Sequence, residues 1–202
     1  ADLLNPLLKG QIAFADPETS SSSWEHLINM LFAMGNGNPE NGWNYVRLLC
    51  KNIDGKLRSG SSAVYDGVAK GQFAVGLTFE EGAANFAEND DNILIVYMKE
   101  GVVFTPDVIC LVKNAKNPEN AKVFIDYLTD LPVQNFISKQ LNRRSIRTDV
   151  AIKKLFVPID SINCIKADYA YALENQKKWL DEFHEYVTLQ EVAEGDFSVS
   201  GR

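Results

Sequence analysis

Short apolar runs of strand length alternate with apolar residues at helical spacing through roughly the first hundred residues, and this alternation constrains the fold most. Residues 11–15 and 73–79 predict buried strands, and residues 56–58 predict a short one. Helices are predicted between and after these strands, over residues 22–34, 43–52, 63–69 and from residue 80. Strands that alternate with helices in this way indicate a mainly parallel sheet flanked by helices, so we predict an α/β fold.

The rest of the chain has a different pattern. Residues 93–98 and 108–113 predict two further strands, and a helix is predicted to begin at Asn117 and Pro118. From residue 132 onward the pattern is largely helical and includes a long amphipathic stretch over residues 168–189. We therefore predict a boundary between two parts of the chain near residue 107.

Composition excludes several classes of function. The net charge is −7 and the sequence pI is about 4.9, with no basic stripe, so a nucleic-acid partner is not predicted. The three cysteines lie in apolar segments without a CxxC pair and are predicted to be buried thiols. The two histidines are far apart in sequence, and the sequence contains no metal-ligand spacing or nucleophile–base pair. We predict neither a resident metal nor another cofactor, and no enzyme activity.

Two hydroxyl-rich turns each lie between a predicted strand and a predicted helix. Because the carboxyl ends of parallel strands share one edge of a sheet, both turns are expected where α/β proteins bind ligands. The serines either cap their helices, or they act with free backbone N–H groups to hold a phosphate, sulfate or carboxylate. Two such turns at equivalent positions favour the second interpretation. The candidate anion-binding residues are Ser20, Ser21, Ser22, Ser23, Ser61 and Ser62.

The charged residues next to these turns each have two possible roles. Glu80 and Glu81 follow the predicted strand at 73–79, where they either favour the start of the next helix or accept hydrogen bonds from ligand hydroxyls. Asp16 either belongs to an Asp-Pro turn or joins the first serine turn. Arg143, Arg144 and Arg147 form either a solvated basic turn or a bidentate clamp on an anionic group.

The chain resembles the extracellular solute-binding proteins of ABC importers, in the branch that is usually labelled ferric-iron binding. The resemblance rests on the segments KGQIAFADPETSSSSWEHL, SSAVYDGVAKGQFAVGLTFEE, KEGVVFTPD and AKNPENAKVFIDYL. Within that branch it most resembles the sugar-phosphate and phosphonate binders. The resemblance implies the type II periplasmic-binding-protein fold, in which two α/β lobes close on a ligand.

Under this resemblance, residues 1–106 are the second lobe, and residues 107–202 are the returning hinge strand and the C-terminal helices that complete the first lobe. The N-terminal segment of the first lobe, with its signal peptide, is expected upstream and is absent from this chain. The serines of both turns, Thr78 and Glu80 are implied to line the second lobe's side of the cleft, with weaker candidates at Asp16, Glu81 and Arg144.

The implied function is to capture a small anionic solute, an organophosphate or sugar phosphate, and to deliver it to the membrane permease of an ABC importer. Ferric iron is the alternative solute, although iron binders of this branch usually carry adjacent tyrosines where this chain has Phe79, Glu80 and Glu81. A ligand-sensing domain of a regulator is the second alternative. The implied location is the periplasm, or the cell exterior with a lipid anchor, and a dimer is expected if the first-lobe segment is missing.

Overall fold

The computed structural model describes residues 2–195, with side chains to residue 189, and its centre is a short parallel sheet. Strand β1 (Ile12–Ala13) pairs in parallel with β2 (Val75–Gly76). On the opposite edge of β1, Arg58 donates its N–H to the Phe14 carbonyl at 2.8 Å, and Ala15 and Arg58 form a parallel bridge. Three parallel segments thus lie in the order Arg58, β1, β2, which confirms the predicted α/β fold with parallel strands.

Helices cover both faces of this sheet because successive side chains of a strand point to opposite sides. Ile12 and Phe14 lie in the larger core, whereas Ala13 and Ala15 lie with Val64 in a smaller cluster on the other face. A strand buried on both faces reads as a continuous apolar run, as residues 12–15 do. The helices of this half are α1 (Ser21–Met34), α2 (Trp43–Ile53), α3 (Ser61–Ala69) and α4 (Glu80–Ala87).

The last helices return to this first half. After α7 (Tyr169–Glu174), helix α8 (Gln176–Gly195) places Trp179, Phe183 and Val187 in the same core as Ile12. Residues spaced by four lie on one face of a helix, so these three form the apolar stripe that packs inward. The division of the chain into residues 1–106 and 107–202 stays a prediction.

The middle of the chain has a second parallel pair and two helices. Strand β3 (Val102–Val103) pairs with β4 (Cys164–Ile165). Helices α5 (Pro118–Thr129) and α6 (Leu131–Gln140) lie between these strands in sequence. Short 3-10 turns complete the described chain at Asp2–Leu4, Pro6–Leu8, Pro39–Asn41 and Ile159–Ser161.

Two strand predictions are wrong. Residues 93–98 and 108–113 have no strand partner among residues 2–195. Leu94, Val96 and Val108 are 79%, 77% and 86% exposed. A strand exists only where a neighbour pairs with its backbone groups, so an apolar run without that neighbour stays irregular.

The prediction of three buried thiols is correct only for Cys50. Its burial raises the pKa of the thiol to about 12. Cys110 and Cys164 are exposed; in β4 it is the neighbouring Ile165 that packs against the core. Among the described residues, no helix combines the length and the apolar character needed to span a membrane.

Candidate functional site

Three turns lie side by side along one edge of the central sheet. They follow the three parallel segments: residues 16–20 follow β1, residues 59–60 follow Arg58, and residues 77–79 follow β2. Neighbouring strands are about 4.8 Å apart, so the turns that leave their carboxyl ends are neighbours too. Each turn leads into a helix, α1, α3 and α4 respectively. The edge is the one at which the sequence predicts a ligand site.

The serines of the first turn bond mainly to one another. The Ser20 N–H donates to the Asp16 carbonyl at 2.9 Å, which closes the turn. The Ser23 hydroxyl donates to the Ser20 oxygen at 3.3 Å, and the Ser20 and Ser22 hydroxyl oxygens are 3.2 Å apart. Ser23 is only 1% exposed, whereas Ser21 is exposed. Ser21 and Ser22 are therefore the two serines of this turn that can most easily reach a bound molecule.

The serine at the start of α1 does not cap that helix through its side chain. Ser20, Gly60 and Phe79 occupy the N-cap positions of α1, α3 and α4, and within the described chain none of them forms a side-chain capping bond. The first N–H groups of a helix have no intrahelical acceptor and carry a partial positive charge. Three helices thus begin at one edge with N–H groups that their caps leave available to an anion.

The third turn is held by a histidine that the sequence analysis did not select. His26 on α1 donates from Nε2 to the Thr78 carbonyl at 2.9 Å. Burial lowers the pKa of His26 from its usual 6.5, and the bond to Thr78 only partly opposes this. The Thr78 Oγ1 is buried and has no partner within the described chain. The turn therefore contains a buried hydroxyl that no side chain or backbone group of residues 2–195 satisfies.

Glu80 is paired with Arg144. Arg144 Nε lies 2.8 Å from Glu80 Oε2, and Nη2 lies 2.7 Å from Oε1. The Tyr97 hydroxyl also donates to Glu80 Oε1. Burial, and then the bond to Glu80, raise the pKa of Tyr97 to about 12. Tyr97 was missed because it lies in a segment predicted only as a strand.

Glu81 is paired as well, with the neighbouring arginine Arg143. The two adjacent acids at the start of α4 thus meet two adjacent basic residues from the loop after α6. The predicted basic turn is therefore bound to the predicted acidic turn, and Glu80 does not stand as a free acceptor. Arg144 does form a bidentate clamp, but on a carboxylate of its own chain.

Asp16 faces the C-terminal helix. Its Oδ1 lies 2.9 Å from His184 Nε2 and also accepts from the Glu18 N–H at 2.9 Å. Ligand atoms of Asp16, Glu18 and His184 all lie within 4.8 Å of one another, so these three could hold a metal ion. The sequence analysis found no such group, because Asp16 and His184 are 168 positions apart.

Two surface depressions of the described chain contain none of the predicted site residues. One runs along α8 beside Lys177 and Tyr186, and the other lies beside Phe32, Glu100 and Lys166. The predicted site is therefore better described as an edge with three turns than as an enclosed cavity. Of the candidates, Ser20 to Ser23, Ser61, Ser62, Thr78, Glu80 and Glu81 belong to this edge, Arg144 is attached to it through Glu80, and Asp16 lies at the start of the first turn.

Comparisons with known proteins agree with this architecture. Residues 1–173 match the model of a family described as bacterial extracellular solute-binding protein. An uncharacterized protein of Haemophilus influenzae is 24% identical to this chain over 184 residues, which are 90% of this chain and 52% of that protein. The chain thus spans about half the length of this curated relative.

Two solved structures are similar in fold. The periplasmic binding protein AfuA from Actinobacillus pleuropneumoniae, solved with exogenous fructose-6-phosphate bound, has a TM-score of 0.78 and 23% identity, covering 93% of this chain and 59% of AfuA. A Bordetella ferric binding protein has a TM-score of 0.61 and 17% identity, covering 92% of this chain and 61% of that one. The predicted type II periplasmic-binding-protein fold is therefore confirmed.

Proposed function

Because this chain belongs to the family of bacterial extracellular solute-binding proteins, we propose that its three-turn edge captures a small anionic solute for an ABC importer. The solute class is a phosphate ester such as a sugar phosphate. The whole protein then delivers it to the membrane permease from the periplasm, or from the cell exterior on a lipid anchor. No bond of the solute is made or broken in this role.

One observation carries the proposal: three neighbouring parallel segments end at one edge, and each leads into a helix whose N-cap side chain forms no capping bond. Phosphate oxygens accept from such N–H groups and from hydroxyls without needing a lysine. Exposed Ser21 and Ser62, the half-buried Ser22 and Ser61, and the Thr78 hydroxyl supply further donors. AfuA, which shares the fold, was solved with a phosphate ester bound, and this supports the choice of solute.

Ferric iron is the second candidate solute. Asp16, Glu18 and His184 offer three ligand atoms within 4.8 Å of one another, and ferric iron favours anionic oxygen ligands. The Bordetella ferric binding protein supports this candidate by fold alone. The arginine partners of Glu80 and Glu81 argue against it at the third turn, since those carboxylates are already paired.

Nuclear magnetic resonance titration of the 202-residue chain tests the proposal, because it detects weak as well as tight binding. Inorganic phosphate and fructose 6-phosphate are expected to shift the backbone amides of residues 20–23, 59–62 and 78–81, and fructose is expected to leave them unchanged. Ferric citrate is the fourth probe. Loss of resonances by paramagnetic broadening around residues 16, 18 and 184 with ferric citrate, together with no shifts from either phosphate, contradicts the phosphate assignment in favour of iron.

A charge variant gives an independent check. Ser22→Asp places a carboxylate at the start of α1, where it favours the helix but repels a bound anion. We expect phosphate binding to be lost with little change in stability. Asn44→Asp is the matched control, since Asn44 is exposed in the first turn of α2 and belongs to none of the three turns. Equal phosphate affinity for both variants argues against an anion at this edge.

A further inference from the structure

The third turn poses an electrostatic problem for an anion site. Glu80 and Glu81 are the first two residues of α4, directly after the turn that carries Thr78. In this partly buried setting, two carboxylates repel a phosphate if their charges are not compensated. An anion can therefore bind here only if something neutralises the two acids.

Two arginines from a distant loop do so. Arg143 forms an ion pair with Glu81, and Arg144 forms a bidentate one with Glu80. With both pairs formed, the formal charge of these four side chains is zero; Arg143 also pairs with Asp107, whose carboxylate is largely exposed to solvent. The loop that follows α6 thus changes the charge of the edge at which α4 begins.

The pairing with Glu80 leaves part of the Arg144 guanidinium without a hydrogen-bond partner in the described chain. Its Nε and Nη2 face Glu80, and Nη2 also donates to the Val157 carbonyl at 2.7 Å. Nη1 carries two further N–H groups, is buried, and has no partner within the described chain. In a side-on pair through Nε and Nη2, Nη1 lies on the edge of the planar group that faces away from the carboxylate.

Packing fixes this orientation. The Arg144 side chain is 10% exposed. Its guanidinium carbon lies 5.1 Å from the centre of the Phe156 ring and 6.0 Å from that of the Tyr97 ring. A buried charged donor that is rigidly held and lacks an acceptor is uncommon in folded proteins, where such groups usually meet a ligand or an ordered water.

We propose that Arg144 is a ligand-binding residue whose Nη1 donates to the anionic group of the solute, while Glu80 is a positioning residue that holds Arg144 from the opposite edge. This inference rests on the proposed function and extends it. Glu80 acts through Arg144 and does not accept hydrogen bonds from solute hydroxyls. The solute must then carry its negative charge within reach of the third turn.

Three variants and a control test this division of roles with inorganic phosphate. Arg144→Gln removes the donor and leaves Glu80 uncompensated, so affinity falls at least about tenfold. Glu80→Gln removes a negative charge, and its amide oxygen still accepts from Arg144 and keeps the donor in place, so affinity is kept or increased. In Glu80→Gln with Arg144→Gln the repulsion is gone but the donor is still missing, so affinity stays about tenfold below that of the unsubstituted chain.

The double variant is decisive. If Arg144 only neutralises Glu80, the double variant recovers the original affinity, and our inference is overturned. Arg147→Gln is the matched control, because it makes the same charge change at an arginine paired with Asp149. A tenfold loss in this control as well overturns the assignment by showing a general charge effect.

A measurement on the unsubstituted chain does not depend on whether the variants fold. The Arg144 Nε–H resonance is assigned from through-bond correlations within the Arg144 side chain of the unsubstituted protein and followed during the phosphate titration. We expect it to shift together with the backbone amides of residues 20–23 and 59–62. If those amides shift and the Arg144 resonance does not, the inference fails and the proposed function stands. If no resonance shifts, both the proposed function and the inference that rests on it are contradicted.

Discussion

Thr78 carries a buried hydroxyl oxygen that has no partner within the described chain. An unsatisfied buried polar atom costs roughly 1–3 kcal/mol, and removing it with a group of the same shape can be neutral or stabilising. We expect Thr78→Val to leave the free energy of unfolding unchanged or to raise it by about 1 kcal/mol, and to weaken phosphate binding. Urea denaturation and phosphate titration measure the two effects.

Thr78→Ser is the control, because it keeps the hydroxyl and is expected to keep phosphate affinity. If Thr78→Val binds phosphate as the unsubstituted chain does, the hydroxyl has no role in the site. A clear loss of stability in Thr78→Val indicates instead that the hydroxyl has a structural partner.

His26 gives a pH dependence whose sign is defined. Burial lowers the pKa of His26 in the folded chain below the 6.5 of an exposed histidine, so the unfolded chain takes up the proton first as the pH falls. The contribution of neutral His26 to the free energy of unfolding is therefore fully present above about pH 6.5, and it is lost as the pH falls toward the pKa of His26 in the folded chain. Urea midpoints across this range are expected to fall less steeply for His26→Gln than for the unsubstituted chain.

The carboxylates that titrate in the same range are common to both chains, so their contribution cancels in the comparison. Identical slopes for His26→Gln and the unsubstituted chain contradict the neutral, buried state of His26.

Contacts between residues that are distant in the sequence could not be predicted from the sequence. The residue types at Glu80 and Arg144 indicated charge chemistry, but their ion pair joins positions 64 apart. No local pattern encodes such a contact, because it depends on where α6 and its following loop pack. The turns at residues 20–23 and 61–62 could be predicted because the order of strand, turn and helix is local.

At the scale of elements, α8 is held by an apolar stripe that reaches the central core. Phe183 is 1% exposed, and its ring contacts that of Phe14 at 5.9 Å between centres. We expect Phe183→Ala to lower the free energy of unfolding by about 3–5 kcal/mol, as large-to-small changes in cores do. Urea denaturation followed by tryptophan fluorescence measures this, since Trp24, Trp43 and Trp179 form one cluster.

Leu189→Ala on the same helix is the control. Leu189 is exposed, so its loss is expected to change stability by less than about 0.5 kcal/mol. Equal effects of the two substitutions show that α8 does not pack as described. The periodicity over residues 168–189 predicted helical structure correctly but did not show that it divides into α7 and α8 at Asn175. The partner of the apolar face of α8 could not be predicted from periodicity either.

The whole molecule exposes many large apolar side chains in its middle part. Val96, Val108 and Ile146 are among them, and they lie in the segments whose strand predictions failed or in the loop after α6. Contiguous exposed apolar surface promotes association. We expect the 202-residue chain to self-associate in sedimentation velocity as its concentration rises, and Val96→Lys with Val108→Lys to reduce this at little cost in stability.

Gln72→Lys with Asn89→Lys adds the same charge at exposed polar positions and is the control. If both double variants reduce association equally, charge alone explains the effect. A chain that stays monomeric at every concentration contradicts the expected dimer.

The fold of the first half was predictable, and that of the middle part less so, for one physical reason. In the first half each apolar run meets its partner within the described chain, as Ile12 meets Val75. Residues 93–98 and 108–113 have the composition of strands but no neighbouring strand among residues 2–195. The composition of a segment shows whether it can form a strand, and the presence of a pairing neighbour determines whether it does.

The return of α8 to the central core affects how the chain matures. Ile12 and Val187 belong to one cluster although nearly the whole described chain separates them. On the ribosome, this core is therefore complete only after α8 has emerged. Proteolytic removal of α8 uncovers the rings of Phe14 and Trp24 that it contacts, so damage to α8 disables serine turns that lie far from it in sequence.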